Sequence, residues 1–434
     1  MAEENISGIT KIAVKGFKSI AEECEIDIRP LTILAGANSS GKSSIMQPLL
    51  MLKQTLEAPY DPGPLLIDGP NVRFTSTLQF LSTLTDKKTV DSFQVKIDTR
   101  DSDYSNSMAL TFRSGQKTIE IIEMTCEEKL LSGKLSPTEH LTLVPQMTSE
   151  EIGSIIEQHS IPIDFNIVKR LRCFLVFGSQ DSEIIYIITP KVESNIFNII
   201  HLPGLRGNPE RIYTLTSSGP LYPGTFEHYA SSVIHEWQEI KSKQLNKVVD
   251  SLHILGLTTQ VSTQQIGNIG VEVQVGRLPH ERTDEADMVN IADVGIGVSQ
   301  VLPVLVAVIA AEPGQLVYLE QPELHLHPNA QVALAQVLAD AAKRGVRVVA
   351  ETHSSLLLLG IQTLVAEGKL SPDLVKLHWF SQNEDGITEI DSVDLDEAGT
   401  YGEWPVDFND VSLNAQSRFL DAVDNVRFGE KETS

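Results

Sequence analysis

The sequence predicts an α/β fold, a mixed sheet with crossover helices interrupted by an inserted α+β lobe. Three observations predict it. Near the N-terminus the apolar run Leu31–Leu34 feeds a glycine-rich loop, GANSSGKSS, that opens a helix. From about residue 290 onward, helical stretches and apolar strands alternate, the pattern of a parallel sheet with crossover helices. Between the two lies a stretch of alternating strands, set off by a Pro- and Gly-rich boundary.

Taken in order, "KIAVKGFKSI" and "CEIDIRPLTIL" read as strands. The stretch "SSIMQPLLMLKQTL" (43–56) has helical apolar spacing, with Pro48 tolerable in its second turn. "APYDPGPLLIDGPN" (58–71) is the boundary. Beyond it "SFQVKID" and "SMALTFR" alternate like half-buried strands, and "TSEEIGSIIEQH" is a helix with a Ser/Thr-type cap. Residues 225–256 read as one long helical stretch ended by Gly256. The expected division is therefore 1–60 as the N-terminal half of a core and 61–200 as the inserted lobe. Residues 201–284 form a connecting region with a long helix, 285–400 the C-terminal half, and 401–434 an acidic C-terminal segment.

Composition excludes several classes. A hydrophobic content of 41% with 21% charged residues is that of a globular protein. Cys24, Cys126 and Cys173 form no CxxC pair, so neither a zinc site nor a disulfide framework is expected. The acidic, polar start is no secretory signal, and "VLPVLVAVIAA" (301–311) is too short to span a bilayer, so a cytoplasmic protein with no membrane partner is expected. A net charge of −24 argues against a sequence-independent grip on nucleic acid, so DNA binding by the chain alone should be weak or absent. From 381 onward fourteen Asp and Glu face three Lys and Arg, a solvated tail or a docking surface for a basic partner.

The loop fits GxxxxGK[ST] from Gly36 to Ser43. Gly36 and Gly41 let the backbone curl so that successive N–H groups face a phosphate at a helix N-terminus. Lys42, expected to face solvent, supplies charge to the outer phosphates, and the Ser43 hydroxyl is placed to ligand Mg²⁺. "LVYLEQPE" is a strand ending in an acid, which makes Glu320 the metal-side carboxylate. The usual ending is Asp-Glu; here it is Glu320-Gln321. A Gln can orient water but cannot take its proton, so a base, if one acts, would be Glu323 brought round by the turn. His325 and His327 have the spacing of a metal pair, but read better as packing residues in a turn between subunits. His353, just past the apolar run of "VVAETHSS", is placed to hydrogen-bond a terminal phosphate or orient water. "DVGIGVSQVLP" is a second anion-ready helix start, suited to a neighbour's nucleotide.

In the order GANSSGKSS, DVGIGVSQ, YLEQPELHLHP and ETHSS, the motifs resemble the ABC-type ATPase heads of the overcoming-lysogenisation-defect class and its stand-alone relatives. Those ATPases share a superfamily with SMC and Rad50 heads and are often found in bacterial anti-phage defence. "HLPGLRGNPERIY" and "GEWPVDF" are similar to further elements of them, and the resemblance spans about 8–60 and 200–410. It implies a P-loop ABC-type ATPase core with ATP and Mg²⁺ as cofactors. It implies Gly36, Asn38, Gly41, Lys42, Ser43 and Ser44 as the nucleotide loop. Gly295, Gly297, Ser299 and Gln300 would be a signature element reaching across a dimer, and His353 a switch histidine. Arg206 and Arg211 match a basic element near the core. Gly295 departs from transporter-type signatures, which carry Ser there, leaving Ser299 as the nearest hydroxyl.

The expected function is a slowly hydrolysing ATPase acting as a nucleotide-dependent homodimer or higher assembly. It would sense a trigger or control a separate effector, a nuclease or toxin in trans. Only some thirty residues follow the core, too few for a fused nuclease domain. The alternatives are a non-hydrolysing nucleotide-bound scaffold and a DNA-repair ATPase of the Rad50 or recombination-mediator type. The latter would need a heptad arm or a basic track, and neither is evident.

Overall fold

The computed structural model describes residues 7–83, 88–115, 118–131, 139–159, 165–179, 183–187, 190–216, 219, 221–277, 287–402 and 417–423. Most of the acidic segment 401–434, including nearly all of "GEWPVDF", lies outside them.

An antiparallel sheet has the order β2-β1-β4-β5-β6-β7. Its strands are β1 (Gly8–Lys15), β2 (Cys24–Asp27), β4 (Ser92–Arg100), β5 (Tyr104–Ser114), β6 (Ile119–Leu130) and β7 (Glu139–Leu143). Burial alternates along β4 without a break, one face in and one face out, as its sequence pattern requires. Helix α2 (Ser149–Gln158) follows, and the expected cap is a capping box in which Thr148 and Glu151 bond each other's backbone N–H. A small sheet of β8 (Ile167–Leu171), β9 (Phe174–Gly178) and β10 (Ile185–Tyr186), then α3 (Pro190–Phe197), complete the lobe.

The second large sheet is mixed, with order β11-β16-β17-β3-β18-β19. It comprises β11 (Ile200–Leu202), β16 (Leu316–Glu320), β17 (Arg347–Thr352), β3 (Leu31–Gly36), β18 (Val375–Gln382) and β19 (Thr388–Val393). All neighbours are parallel except β19, which runs antiparallel to β18. Alternate side chains enter different cores. Ile33, Val317, Leu319, Val348 and Ala350 pack with α6 (Ile296–Ala310), α7 (Pro328–Lys343) and α8 (Ser355–Ala366). Leu34, Leu316, Tyr318 and Val349 pack with α1 (Lys42–Glu57) and the antiparallel sheet. Each fully buried aliphatic side chain contributes about 1.5–3 kcal/mol, so this two-sided burial fixes the register firmly. Helix α6 is apolar nearly all round because it is the buried helix of the first core, not a membrane span. Among the described residues no helix is long and apolar enough to cross a membrane.

Residues 1–60, expected as the N-terminal half of the core, contribute to both large sheets: β1 and β2 pair into the antiparallel sheet and β3 into the mixed one, while α1 packs between them. One expectation needs correction. The long helix of 225–256 is two helices, α4 (Ala230–Glu239) and α5 (Lys243–Ile254). Lys241 has a φ of +52°, and the Ser242 hydroxyl then caps α5 by accepting from the Gln244 N–H. The connecting region also contributes a sheet of β12 (Tyr213–Thr214), β14 (Gly270–Gly276) and β13 (Val261–Ile266), and β15 (Met288–Asn290), beyond that region, pairs with β14. The sheet's Val261, Val273 and Val275 join the α6 core.

Candidate functional site

The C-terminal ends of β3, β16 and β17 lie side by side, which is where open α/β sheets bind ligands. The loop after β3 could be built by no other residue at two points. Gly36 has a φ of +141°, and a Cβ there would stand 2.2 Å from the Phe380 carbonyl oxygen. Gly41, at +105°, leads directly into α1, and its Cβ would meet Thr388 Oγ1 at 2.4 Å. Asn38 is exposed on the loop and Ser44 is buried at the helix start.

Lys42 does not face solvent as expected. It is 3% exposed, and its ammonium donates to the Gly36 carbonyl at 3.1 Å and the Ala37 carbonyl at 2.6 Å. Burial lowers its pKa, against the opposing charge of Glu351. A cavity of about 390 Å³ opens here, lined by Lys18, Ser39, Lys42, Ser43, Gln47 and Glu351 among others. The buried side-chain oxygen of Gln47 has no hydrogen-bond partner among the described residues.

The carboxylate that meets the loop is Glu351, one residue before the end of β17. Its Oε2 accepts from the Ser43 hydroxyl at 2.8 Å and from the fully buried Tyr318 hydroxyl at 2.9 Å. Burial raises its pKa; Glu320 adds to this, while the Ser43 and Tyr318 bonds and Lys42 oppose it. Glu320 pairs with Glu351 in the β16–β17 register, but its carboxylate is engaged elsewhere. It takes hydrogen bonds from His201 at 3.1 Å and the Gly204 N–H at 3.2 Å. Burial pushes Glu320 up, but His201, Gly204 and Arg206 together outweigh it, and the carboxyl sits below its ordinary value. His201 is buried, stacked on the Tyr318 ring and bonded through Nδ1 to Asn71 at 3.0 Å.

The turn after β16 sets Glu323 against Thr352 and His353, outside the residues that line the loop cavity. Glu323 Oε1 accepts from the Thr352 hydroxyl at 2.5 Å and the His353 N–H at 3.2 Å, while its buried Oε2 has no hydrogen-bond partner among the described residues. Burial raises its pKa against those bonds and Arg206. Gln321 makes the turn with a φ of +45°, a strained conformation for a non-glycine residue, its N–H held by the Glu351 carbonyl. Its side-chain amide makes no hydrogen bond among the described residues. His353 bonds the Gly36 backbone beside Lys42, and burial and that cation lower its pKa. His325 and His327 are exposed, and His327 caps α7 through its ring. Among the described residues no group of three or more His, Cys, Asp or Glu could hold a metal by itself.

The signature element stands apart from the cavity. Gly295 and Ile296 are exposed at the start of α6, and a Cβ on Gly295 would enter open space. Ser299 and Gln300, expected to reach outward, are instead buried. The Ser299 hydroxyl bonds the Ile296 carbonyl within the helix, and the Gln300 amide bonds the Gly207 carbonyl. Arg206 is a buried strut. It donates to the Gln300 carbonyl and to those of Glu320 and Gln321, tying the signature helix to the acid turn. Burial lowers its pKa to about 10 despite Glu323, Glu227 and Glu320 nearby. Arg211 is exposed and paired with Asp293.

Residues 31–359 match a family described as "AAA domain, putative AbiEii toxin, Type IV TA system". That span runs from the start of β3 into α8 and holds the phosphate loop, the Gly295–Gln300 element, the Glu320 turn and His353. The chain belongs to this family. It is a nucleotide-binding ATPase of the AAA class, with no curated protein matching it. Solved structures to which it is similar include the SMC head bound to the C-winged helix domain of ScpA, at 14% identity, with 90% of this chain and 99% of that chain covered and a TM-score of 0.48. Another is the SMC head domain from Thermotoga maritima, at 11% identity, 89% and 100% coverage and a TM-score of 0.42. A third is the Smc head domain with an extended coiled coil bound to the C-terminal domain of ScpA derived from Pyrococcus furiosus, at 14%, 96% and 100%, with a TM-score of 0.44.

The residues present fit the ATP and Mg²⁺ that an AAA ATPase uses. A hydroxyl and carboxylates form an oxygen-only half-site, which suits a magnesium ion shared with phosphates. Bound there, magnesium would neutralise phosphate charge. Ser43, Glu351 and Glu320 are the candidates to hold it, and Lys42 would exchange its two carbonyls for phosphate oxygens. The sequence reading missed Glu351, Tyr318 and His201. Glu351 was findable, being an acid that closes an apolar strand just as Glu320 does.

Proposed function

We propose that the chain binds ATP with Mg²⁺, hydrolyses it slowly, and uses the nucleotide to hold two copies head to tail. The observation that carries this reading is the separation, within one chain, of the phosphate loop from the helix end exposed at Gly295 and Ile296. Two anion-ready helix starts with one phosphate cavity fit a nucleotide shared between copies. Slow turnover follows from Gln321, which cannot accept a proton. In this reading the homodimer, or a higher assembly of it, is a cytoplasmic switch that senses a trigger or controls a separate effector, a nuclease or toxin, in anti-phage defence. The family's description, which names a toxin and a Type IV TA system, supports an output of that kind. With a net charge of −24 the chain alone should bind DNA weakly.

A non-hydrolysing scaffold is the second reading, favoured by the same Gln321. Calorimetric titration with ATP and Mg²⁺, followed by steady-state phosphate release, separates the two. Binding with slow release supports the switch; binding with no release over hours supports the scaffold. No binding removes both.

A further inference from the structure

We infer that Glu351, rather than Glu320, is the carboxylate that holds the magnesium ion beside Ser43. The inference rests on the Mg²⁺–ATP reading above and assigns a residue within it.

Three observations carry it. Glu351 lines the loop cavity together with Lys42 and Ser43, and Glu320 does not. The Ser43 hydroxyl, the loop's own metal ligand, already touches Glu351 Oε2 at 2.8 Å. Glu320 has its two oxygens on His201 and the Gly204 N–H, so it would have to break both bonds to turn toward the loop.

The energetics point the same way. Glu351 is 6% exposed, and its hydrogen-bond donors are two neutral hydroxyls. A buried carboxylate is costly unless a cation or several donors compensate it. Glu320 has such compensation from His201, Gly204 and Arg206. Glu351 has only the nearby Lys42, whose donors point at Gly36 and Ala37. A divalent cation at Ser43 supplies what Glu351 lacks. Tyr318, held flat against His201, is then a positioning residue that aims the carboxylate.

The test is the gain in ATP affinity on adding Mg²⁺, measured by calorimetry, with Mn²⁺ paramagnetic resonance as a readout independent of turnover. The parent should gain at least about tenfold from the metal. Glu351→Gln should bind metal-free ATP as well as the parent, lose most of that gain, and bind Mn²⁺ weakly in the presence of ATP. Glu320→Gln should keep most of the gain. Tyr318→Phe, which leaves both acids in place, should lose a smaller part, and it decides the matter if Glu351→Gln does not fold. A full magnesium gain in folded Glu351→Gln, or in Tyr318→Phe when it must decide, overturns the inference. So does a loss confined to Glu320→Gln. A parent that binds no ATP at all refutes the underlying Mg²⁺–ATP reading instead.

Discussion

The Ser43 hydroxyl donates a 2.8 Å hydrogen bond to the Glu351 carboxylate, joining residues 308 positions apart in the chain. The bond exists because β3 and β17 are parallel neighbours whose last paired residues, Ala35 and Thr352, stand opposite each other. Loop and acid are thereby delivered to the same edge of the sheet.

Lys42→Ala should lower ATP affinity by roughly 10- to 100-fold, the range for losing charge-assisted hydrogen bonds. The fold should survive, because Ala37, one of the two residues whose carbonyls the ammonium now satisfies, is exposed and can turn to water, which leaves only the buried Gly36 carbonyl without this donor. Calorimetry on a variant with an unchanged melting curve checks this. Undiminished affinity would remove Lys42 from the site.

Gln321→Glu should raise phosphate release by about tenfold or more, since a positioned general base typically contributes at least that much. Glu323→Gln should change it less than about threefold. Glu323 Oε1 supports the Thr352–His353 turn, a task a Gln oxygen can keep, and the amide would replace an unpartnered buried oxygen. Its melting temperature should hold or rise. A hundredfold fall in turnover in Glu323→Gln would make Glu323 the base.

Acid should destabilise the fold through His378. It is 0% exposed, with Nδ1 on the Ser392 hydroxyl and Nε2 on the Asp27 carbonyl, and burial lowers its pKa to about 4. The unfolded chain therefore binds the proton first. The neutral ring's contribution is present above about pH 6.5 and is lost as pH falls toward 4, by up to about 3 kcal/mol. Denaturant titrations should show the stability difference between parent and His378→Gln shrinking over that window. A constant difference would contradict the burial argument.

Much of this was legible in the chain. The period-two strands that send Leu316 and Tyr318 one way and Val317 and Leu319 the other are visible as apolar runs, and the phosphate loop follows one of them. The break between α4 and α5 was not, because Lys241 carries no mark of the left-handed turn it makes. His201 was equally hidden. It lies on a three-residue strand, and its partners Asn71 and Glu320 are 130 and 119 residues away, so no local pattern points to it. The burial of Ser299 and Gln300 was hidden as well, because a motif gives residue types, while burial depends on Arg206 and the Gly207 loop.

The central claim is that nucleotide is shared between two copies through the end of α6. Gly295→Arg tests it with the least disturbance, since a side chain there enters open space, whereas at Gly297 the Cβ would press on the His325 carbonyl at 3.3 Å. The deciding measurement is molar mass by light scattering with Mg²⁺ and a non-hydrolysable ATP analogue. The parent should double its mass with the analogue, and Gly295→Arg should stay at its nucleotide-free mass while binding the analogue with parental affinity. A variant that associates as the parent does, or a parent whose mass ignores the nucleotide, would contradict the account.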